Sequence, residues 1–331
     1  MLETKEILKE LKIPVIGAPM FLLSQPDLVI SQCCSGICGT FPSLNARPQS
    51  QLKEWIQQIK RECNDFKKKN PSKKVGPFGV NLVALDSNKR LQQDLETCVE
   101  EEVPVIITSM KPPQDVVKAV HSYGGLHFHD VINRRHAEKA IEAGVDGLIL
   151  VCSGAGGHAG SLNPFAFLSE VREMYDGIIM LAGCLSTGKD ILASQILGAD
   201  YAYMGTRFIA TKEANASYKY KKMVVEGRAN DIVYTPDFTG VNASFLKASI
   251  EEVGVNPNKV SGPSYKKPSK WWLLYKHWRM KKVKKWKDLW SAGQGVTAIK
   301  KITSVDECVE QLYSEYELAK QTIENKKSAS L

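Results

Sequence analysis

Short apolar runs alternate with amphipathic stretches from residue 13 to about residue 210, and this rhythm constrains the fold more than any other feature. The runs at 15–18, 36–41, 78–82, 105–109, 126–131, 148–152, 178–182 and 202–204 are rich in Val, Ile, Leu or Gly, too apolar for strands with a wet face. Between them, 51–63, 91–102, 115–125, 134–144 and 188–199 carry helical periodicity. The last three of these stretches end in Gly or Gly-Ala, as helix C-termini often do. Strands alternating with helices imply βα units and a parallel sheet. Eight such units in about 200 residues predict an α/β fold, a (β/α)8 TIM barrel. A doubly wound open sheet is the rival, but its usual GxGxxG after the first strand is absent.

Beyond residue 211 the rhythm breaks. Helical patterns at 214–227 and 245–253 lead into Pro/Gly/Ser-rich loops and then a basic, aromatic segment at 266–287. The expected organisation is a barrel over 1–211, a helical insertion over 212–290, and a C-terminal element with a closing helix over 291–331. The segment 266–287 holds no acid, and outside it positive and negative charges nearly balance despite the net charge of +8. Its plain reading is a solvated helix whose Trp residues pack on the barrel. The sharper reading is contact with an anionic surface, such as lipid headgroups or an acidic carrier protein. A nucleic-acid partner is not expected.

Hydrophobic residues make up 43% and charged residues 24%, normal for a globular protein with a large core. The first residues lack an apolar stretch behind a basic head, so no secretory signal is expected. No window reaches the roughly 18 apolar residues that span a bilayer. The eight cysteines lack CxxC spacing. A cytoplasmic protein with reduced thiols and no metal site is the expectation.

In a barrel of this kind, chemistry belongs at the C-terminal strand ends. Those ends carry Pro19-Met20, Asn81, Thr108-Ser109, Asp130, the loop Gly156-Gly157-His158, Gly183 and Gly205-Thr206. Glycine-rich turns at 181–188 and 203–208 can present backbone N–H groups to a phosphate. His158 lies among glycines just past a strand, where neutral imidazole is a natural proton acceptor. His127 and His129 share one strand face without a third ligand at recognisable spacing, so structural roles are expected for both. Cys38, in CCSGICGT, is expected to be a small buried residue.

Taken together, IPVIGAPM, FGVNL, DGLILVCSGAGGHAG, LAGCLSTG, GADYAYMGTRFIAT and WSAGQG resemble the nitronate monooxygenases, formerly called 2-nitropropane dioxygenases. Second-type enoyl-acyl-carrier-protein reductases share the barrel and a similar GGH loop. The resemblance implies FMN as cofactor, a nitronate or related carbanion as small-molecule substrate, and dioxygen as oxidant. It implies that His158 is catalytic. It also implies that Ala18, Pro19 and Met20 lie along the flavin, with Asn81, Thr108, Asp130, Gly156 and Gly157 near it. Ala182, Gly183, Met204, Gly205 and Thr206 would cradle the phosphate, and Gln294 would face the cofactor. Two departures stand out: Cys184 replaces a second glycine, and Asp130 replaces a lysine seen in some relatives. Alternative readings are an NAD(P)H-dependent enoyl-thioester reductase and a non-catalytic barrel that docks to an anionic surface. A homodimer is left open.

Overall fold

The computed structural model describes residues 7–111, 114–263 and 286–329. Eight parallel strands form one sheet: β1 (Val15–Gly17), β2 (Gly39–Pro42), β3 (Phe78–Ala84), β4 (Val105–Met110), β5 (Leu126–Val131), β6 (Gly147–Val151), β8 (Ile178–Ala182) and β9 (Tyr201–Met204). Their order is β1-β9-β8-β6-β5-β4-β3-β2. The sheet closes on itself through a parallel bridge between Ile16 and Cys38, where the Gly17 N–H donates to the Cys38 carbonyl at 2.7 Å. The fold is the expected (β/α)8 barrel.

The continuous apolar runs are explained by burial on both faces. Ile16, Cys38, Ile107, Phe128, Ile149, Met180 and Tyr203 fill the interior. Val80, Leu82, Ile106, Leu148, Leu150 and Leu181 face the surrounding helices. Truncating a fully buried ring such as Phe128 to alanine costs about 3–5 kcal/mol in a core of this density.

The helices are α1 (Pro26–Cys34), α2 (Gln51–Lys69), α3 (Leu91–Glu100), α4 (Gln114–His121), α5 (Arg134–Glu142), α6 (Pro164–Arg172) and α7 (Gly188–Ile196). In α2, Leu52, Ile56 and Ile59 recur on one face and are buried, while the remaining surface is charged. A capping box starts α7: Thr187 accepts from the Asp190 N–H, and Asp190 accepts from the Thr187 N–H. Just beyond α5 and α7, Gly144 and Gly198 take φ values of 83° and 107°, which favour glycine. Helices α1 and α6 were not expected from the periodicity. Both start on a proline, at Pro26 and Pro164, and both present short apolar faces.

After the barrel come α8 (Thr206–Ile209), α9 (Tyr218–Glu226) and α10 (Lys247–Glu252). The helix expected from 214 starts at Tyr218, where the Ser217 side chain accepts from the Tyr220 N–H. The helix expected from 245 starts at Lys247, because β11 (Ala243–Leu246) pairs antiparallel with β10 (Ile232–Thr235). On its other edge β11 pairs with β7 (Gly157–His158), a two-residue strand in the loop after β6. Of the basic segment at 266–287, only Trp286 and Lys287 fall within the described residues, so its expected surface contact lies outside them. A long C-terminal helix (Val305–Ala329) packs on α7 and α1. It buries Val305, Cys308, Val309 and Leu312, and Glu315 accepts from the Gly188 N–H at 2.8 Å. Among the described residues no helix is long and apolar enough to cross a membrane.

On the outer face of the sheet, Thr108 Oγ1 lies 2.8 Å from His127 Nε2 and 2.8 Å from His129 Nδ1. Burial lowers His127 to about 3 and His129 to about 4, each further lowered by neighbouring histidines. No cluster of His, Cys, Asp or Glu suited to a metal ion occurs among the described residues.

This pair sets an acid limit on stability. Unfolded histidines bind protons below their ordinary value near 6.5, whereas these buried rings stay neutral down to about 4 or below. Stability therefore falls as pH drops from about 6.5, by roughly 2 kcal/mol for each ring at pH 5. Urea unfolding across pH 5–7 checks this; a midpoint independent of pH over that range contradicts it.

Candidate active site

The C-terminal mouth of the barrel gathers a line of polar side chains from three neighbouring strands. On β3, Asn81 Nδ2 donates to Ser109 Oγ on β4 at 3.0 Å, and Ser109 donates to Asp130 Oδ2 on β5 at 2.6 Å. Asp130 Oδ1 is buried and has no partner among the described residues. Burial pushes this carboxyl up to about 6, with the Ser109 hydrogen bond opposing the rise. Tyr203, on β9, is 8% exposed and its hydroxyl likewise has no partner among the described residues. Burial and then the nearby Asp130 raise that phenol well above its ordinary value.

Strand parity decides which predicted residues reach this group. Ile107 faces the interior, so Ser109 does too, while Thr108 turns outward to His127 and His129. The Thr108 side chain is therefore not brought to the mouth. Met204 likewise buries its side chain in the outer core, with Val15, Ala202 and Phe208. Only its carbonyl serves this end of the barrel, accepting from the Ala18 N–H at 2.9 Å. Ala182 faces the interior. Ala18 and Met20 converge on Gly205, where an added Cβ would lie 3.5 Å from Ala18 Cβ and 3.7 Å from the Met20 side chain.

The glycine loop after β6 is clamped by a segment more than a hundred residues away. The Gln294 N–H donates to the Gly154 carbonyl at 2.8 Å, and the Gly293 N–H donates to Thr206 Oγ1 at 2.8 Å. The Gly157 N–H donates to Ser291 Oγ at 2.6 Å, and Ser291 donates onward to the Ser244 carbonyl at 2.6 Å. A Cβ at Gly293 would lie 2.5 Å from the Gly154 carbonyl oxygen, so only glycine lets these two backbones meet.

This clamp presents His158. Its backbone pairs with Ala243 of β11, and its ring stands edge-on to Trp286 at 5.2 Å and 89°. Nε2 is buried with no partner among the described residues. Burial lowers the imidazole below its ordinary value, so at neutral pH it is uncharged and able to accept a proton.

Two turns at the ends of β8 and β9 lie beside the loop. Gly183 and Cys184 have φ values of 125° and 60°, and the N–H groups of Gly183, Cys184 and Gly205 have no acceptor among the described residues. Cys184 directs its sulfur toward the Ser153 carbonyl and Gln294 Oε1, each at 3.8 Å. Ser186 Oγ is buried and also without a partner among the described residues. An added Cβ at Gly295 would lie 2.3 Å from it.

The model of the nitronate monooxygenase family matches residues 41–315 of the chain. The chain belongs to the nitronate monooxygenase family. It is an enzyme, an oxidoreductase of the nitronate monooxygenase kind. Among its relatives, a probable nitronate monooxygenase from Staphylococcus aureus (strain MSSA476) is 25% identical over 283 residues, covering 74% of this chain and 79% of that protein. One from Staphylococcus saprophyticus is 27% identical over 173 residues, covering 48% of each. The fold is shared with FabK from Thermotoga maritima, at TM-score 0.77 and 23% identity over 99% of this chain and 98% of that one. It is also shared with nitroalkane oxidase from Streptomyces ansochromogenes, at TM-score 0.72 and 21% identity over 96% and 99%.

Sequence reading placed Ser109 at a strand end beside Thr108 without assigning it a cofactor role, and did not single out Tyr203, Ser186, Ser291 or Trp286. Alternation along β4 and β9 could have separated Ser109 from Thr108 and pointed to Tyr203. Ser291 and Trp286 join the site only through tertiary contacts, for which the local sequence carries no signal.

Within this nitronate monooxygenase family member, Ser291 is the residue on which the His158 loop hangs. Ser291→Ala leaves the Gly157 N–H and the Ser244 carbonyl without their shared partner, a loss of about 1–3 kcal/mol. The expected result is a lower urea midpoint with faster amide exchange confined to 153–160 and 243–246. Unchanged exchange there contradicts the assignment.

Proposed function

We propose that this chain is an FMN-dependent oxidase of alkyl nitronates, accepting the neutral nitroalkane as well. With dioxygen, two nitronates yield two carbonyl compounds and two nitrite ions, which conserves atoms and charge. The observation that carries the reading is His158, neutral and buried, with an Nε2 that has no partner among the described residues, on a glycine loop at the barrel mouth.

The residues present fit FMN. Among the described residues the N–H groups of Gly183, Cys184 and Gly205 have no acceptor and suit a phosphate, and Asp130 Oδ1 and Tyr203 Oη have no partner and suit a polar ring. Gly183, Cys184, Gly205 and Thr206 would hold the phosphate end, with the Thr206 hydroxyl already engaged by Gly293. Ala18, Pro19, Met20, Gly156, Gly157 and Ala182 would line the ring, with Asn81 and Asp130 as its polar neighbours and Gln294 at the exposed edge. Bound FMN would supply the two-electron redox chemistry.

The rest falls to the chain. His158 Nε2 takes the α-proton of a neutral nitroalkane, and the same nitrogen orients the nitro group of a nitronate. Trp286 holds the imidazole by its edge-on contact. Because burial lowers the histidine, its base form persists below the ordinary histidine range.

The absorption spectrum of freshly purified protein tests the cofactor; absent flavin bands that FMN does not restore would leave the docking-barrel reading. Nitrite release from propyl nitronate, set against NADH consumption with a crotonyl thioester, separates the oxidase from the enoyl-thioester reductase. His158→Ala is expected to keep FMN and lose about 10²–10⁴-fold in nitroalkane turnover. In the parent enzyme kcat/KM for the nitroalkane declines only below the ordinary histidine pKa; full activity in the alanine variant removes His158 from the chemistry.

A further inference from the structure

Asp130 ends a hydrogen-bond chain that begins at Asn81. Ser109 has one O–H, spent on Asp130 Oδ2, and its lone pair takes the Asn81 amide. The second carboxyl oxygen, Oδ1, is left free of any described partner. The groups around Asp130 are Asn81 on β3, Ser109 on β4 and Tyr203 on β9, with the Cys38 thiol beside Tyr203. Ile149 and Val151 of β6 and Met180 and Ala182 of β8 complete the apolar interior. On the opposite face of β5, His127 and His129 are neutral at pH 7, as is His158 on the loop after β6. Burial and the Ser109 hydrogen bond act on the Asp130 carboxyl, and among the described residues no lysine, arginine or charged histidine compensates it.

A buried carboxylate without a counter-ion resists a second negative charge nearby, as paired carboxylates do: the second charge raises the proton affinity of the first. We propose that Asp130 takes up a proton when negative charge enters the mouth, so that reduction of a bound flavin draws in one proton beyond the flavin's own. The proposal rests on the FMN reading above. Two electrons and one proton go to the flavin. Asp130 takes one further proton from solvent, forming a single O–H bond and breaking none in the chain. Asp130 is thus a charge-compensating residue: it stabilises added negative charge only by being neutralised.

The test is the midpoint potential of bound FMN, titrated with dithionite against a reference dye at pH 5.5–8.5. Two protons per two electrons give a slope of about 59 mV per pH unit, and one proton gives about 30 mV. The parent enzyme is expected to show the steeper slope at pH above about 6, where Asp130 ionises in the oxidised state. Asp130→Asn is expected to keep FMN and show the shallower slope throughout. Ser109→Ala removes the donor that favours the carboxylate, so the steep range moves to higher pH. Equal slopes in parent and Asp130→Asn, both holding FMN, overturn the coupling and leave the cofactor reading intact. An unmoved steep range in Ser109→Ala also overturns it. If the parent holds no FMN, the cofactor reading fails and the coupling fails with it.

Discussion

Closure of the parallel ladder between Gly17 and Cys38 is the interaction on which the mouth depends. Once the sheet is a cylinder, alternate residues of every strand point into one enclosed volume, and the last inward residue of each strand lies at a common rim. Asn81, Ser109 and Asp130 become neighbours because β3, β4 and β5 are adjacent, with Asn81 paired to Ile107 and reaching Ser109 one inward position further along β4. Tyr203 comes from β9, several strands away in the sheet order, yet it shares the same interior as Asp130. An open sheet with the same strands would carry these side chains on separate stretches of one face.

A second layer of order comes from the chain after the barrel. The segment Ser291–Gln294 reaches back to the glycine loop, Thr206 and the β8 turn. Its glycines matter because two backbones approach closely there, as the 2.5 Å clash of a Cβ at Gly293 shows. The hairpin β10–β11 adds a strand to the same loop, and Trp286 sets an aromatic edge against His158. The loop that reads as a flexible turn in the sequence is therefore held from several sides. Buried polar atoms left unengaged inside such a rigid frame are costly. Among the described residues His158 Nε2, Asp130 Oδ1, Tyr203 Oη and Ser186 Oγ share that condition.

The sequence departures take on definite shapes in the fold. Cys184 adopts φ of 60° where glycine would be at ease, and its sulfur lies over Gly154, whose lack of a side chain makes room for it. Asp130 brings a carboxyl without a compensating cation among the described residues. Both change the polar character of the mouth without disturbing the strands that form it, because each sits past or at the end of its strand.

By itself the sequence determined the barrel: all eight strands were legible because each is a short, largely apolar run and helical periodicity separates most of them, and these are local, repeating signals. Placement of His158 on a glycine loop past a strand was legible for the same reason. Only the tertiary structure decided which of Thr108 and Ser109 faces the mouth, that Met204 serves through its backbone while Tyr203 turns inward, and that Ser291 and Trp286 support His158. Those outcomes depend on strand parity within a closed cylinder and on contacts between segments far apart in the chain. Local alternation says only which residues share a strand face; which face turns inward, and which distant segments meet, is selected by partners that come together only once the barrel has formed.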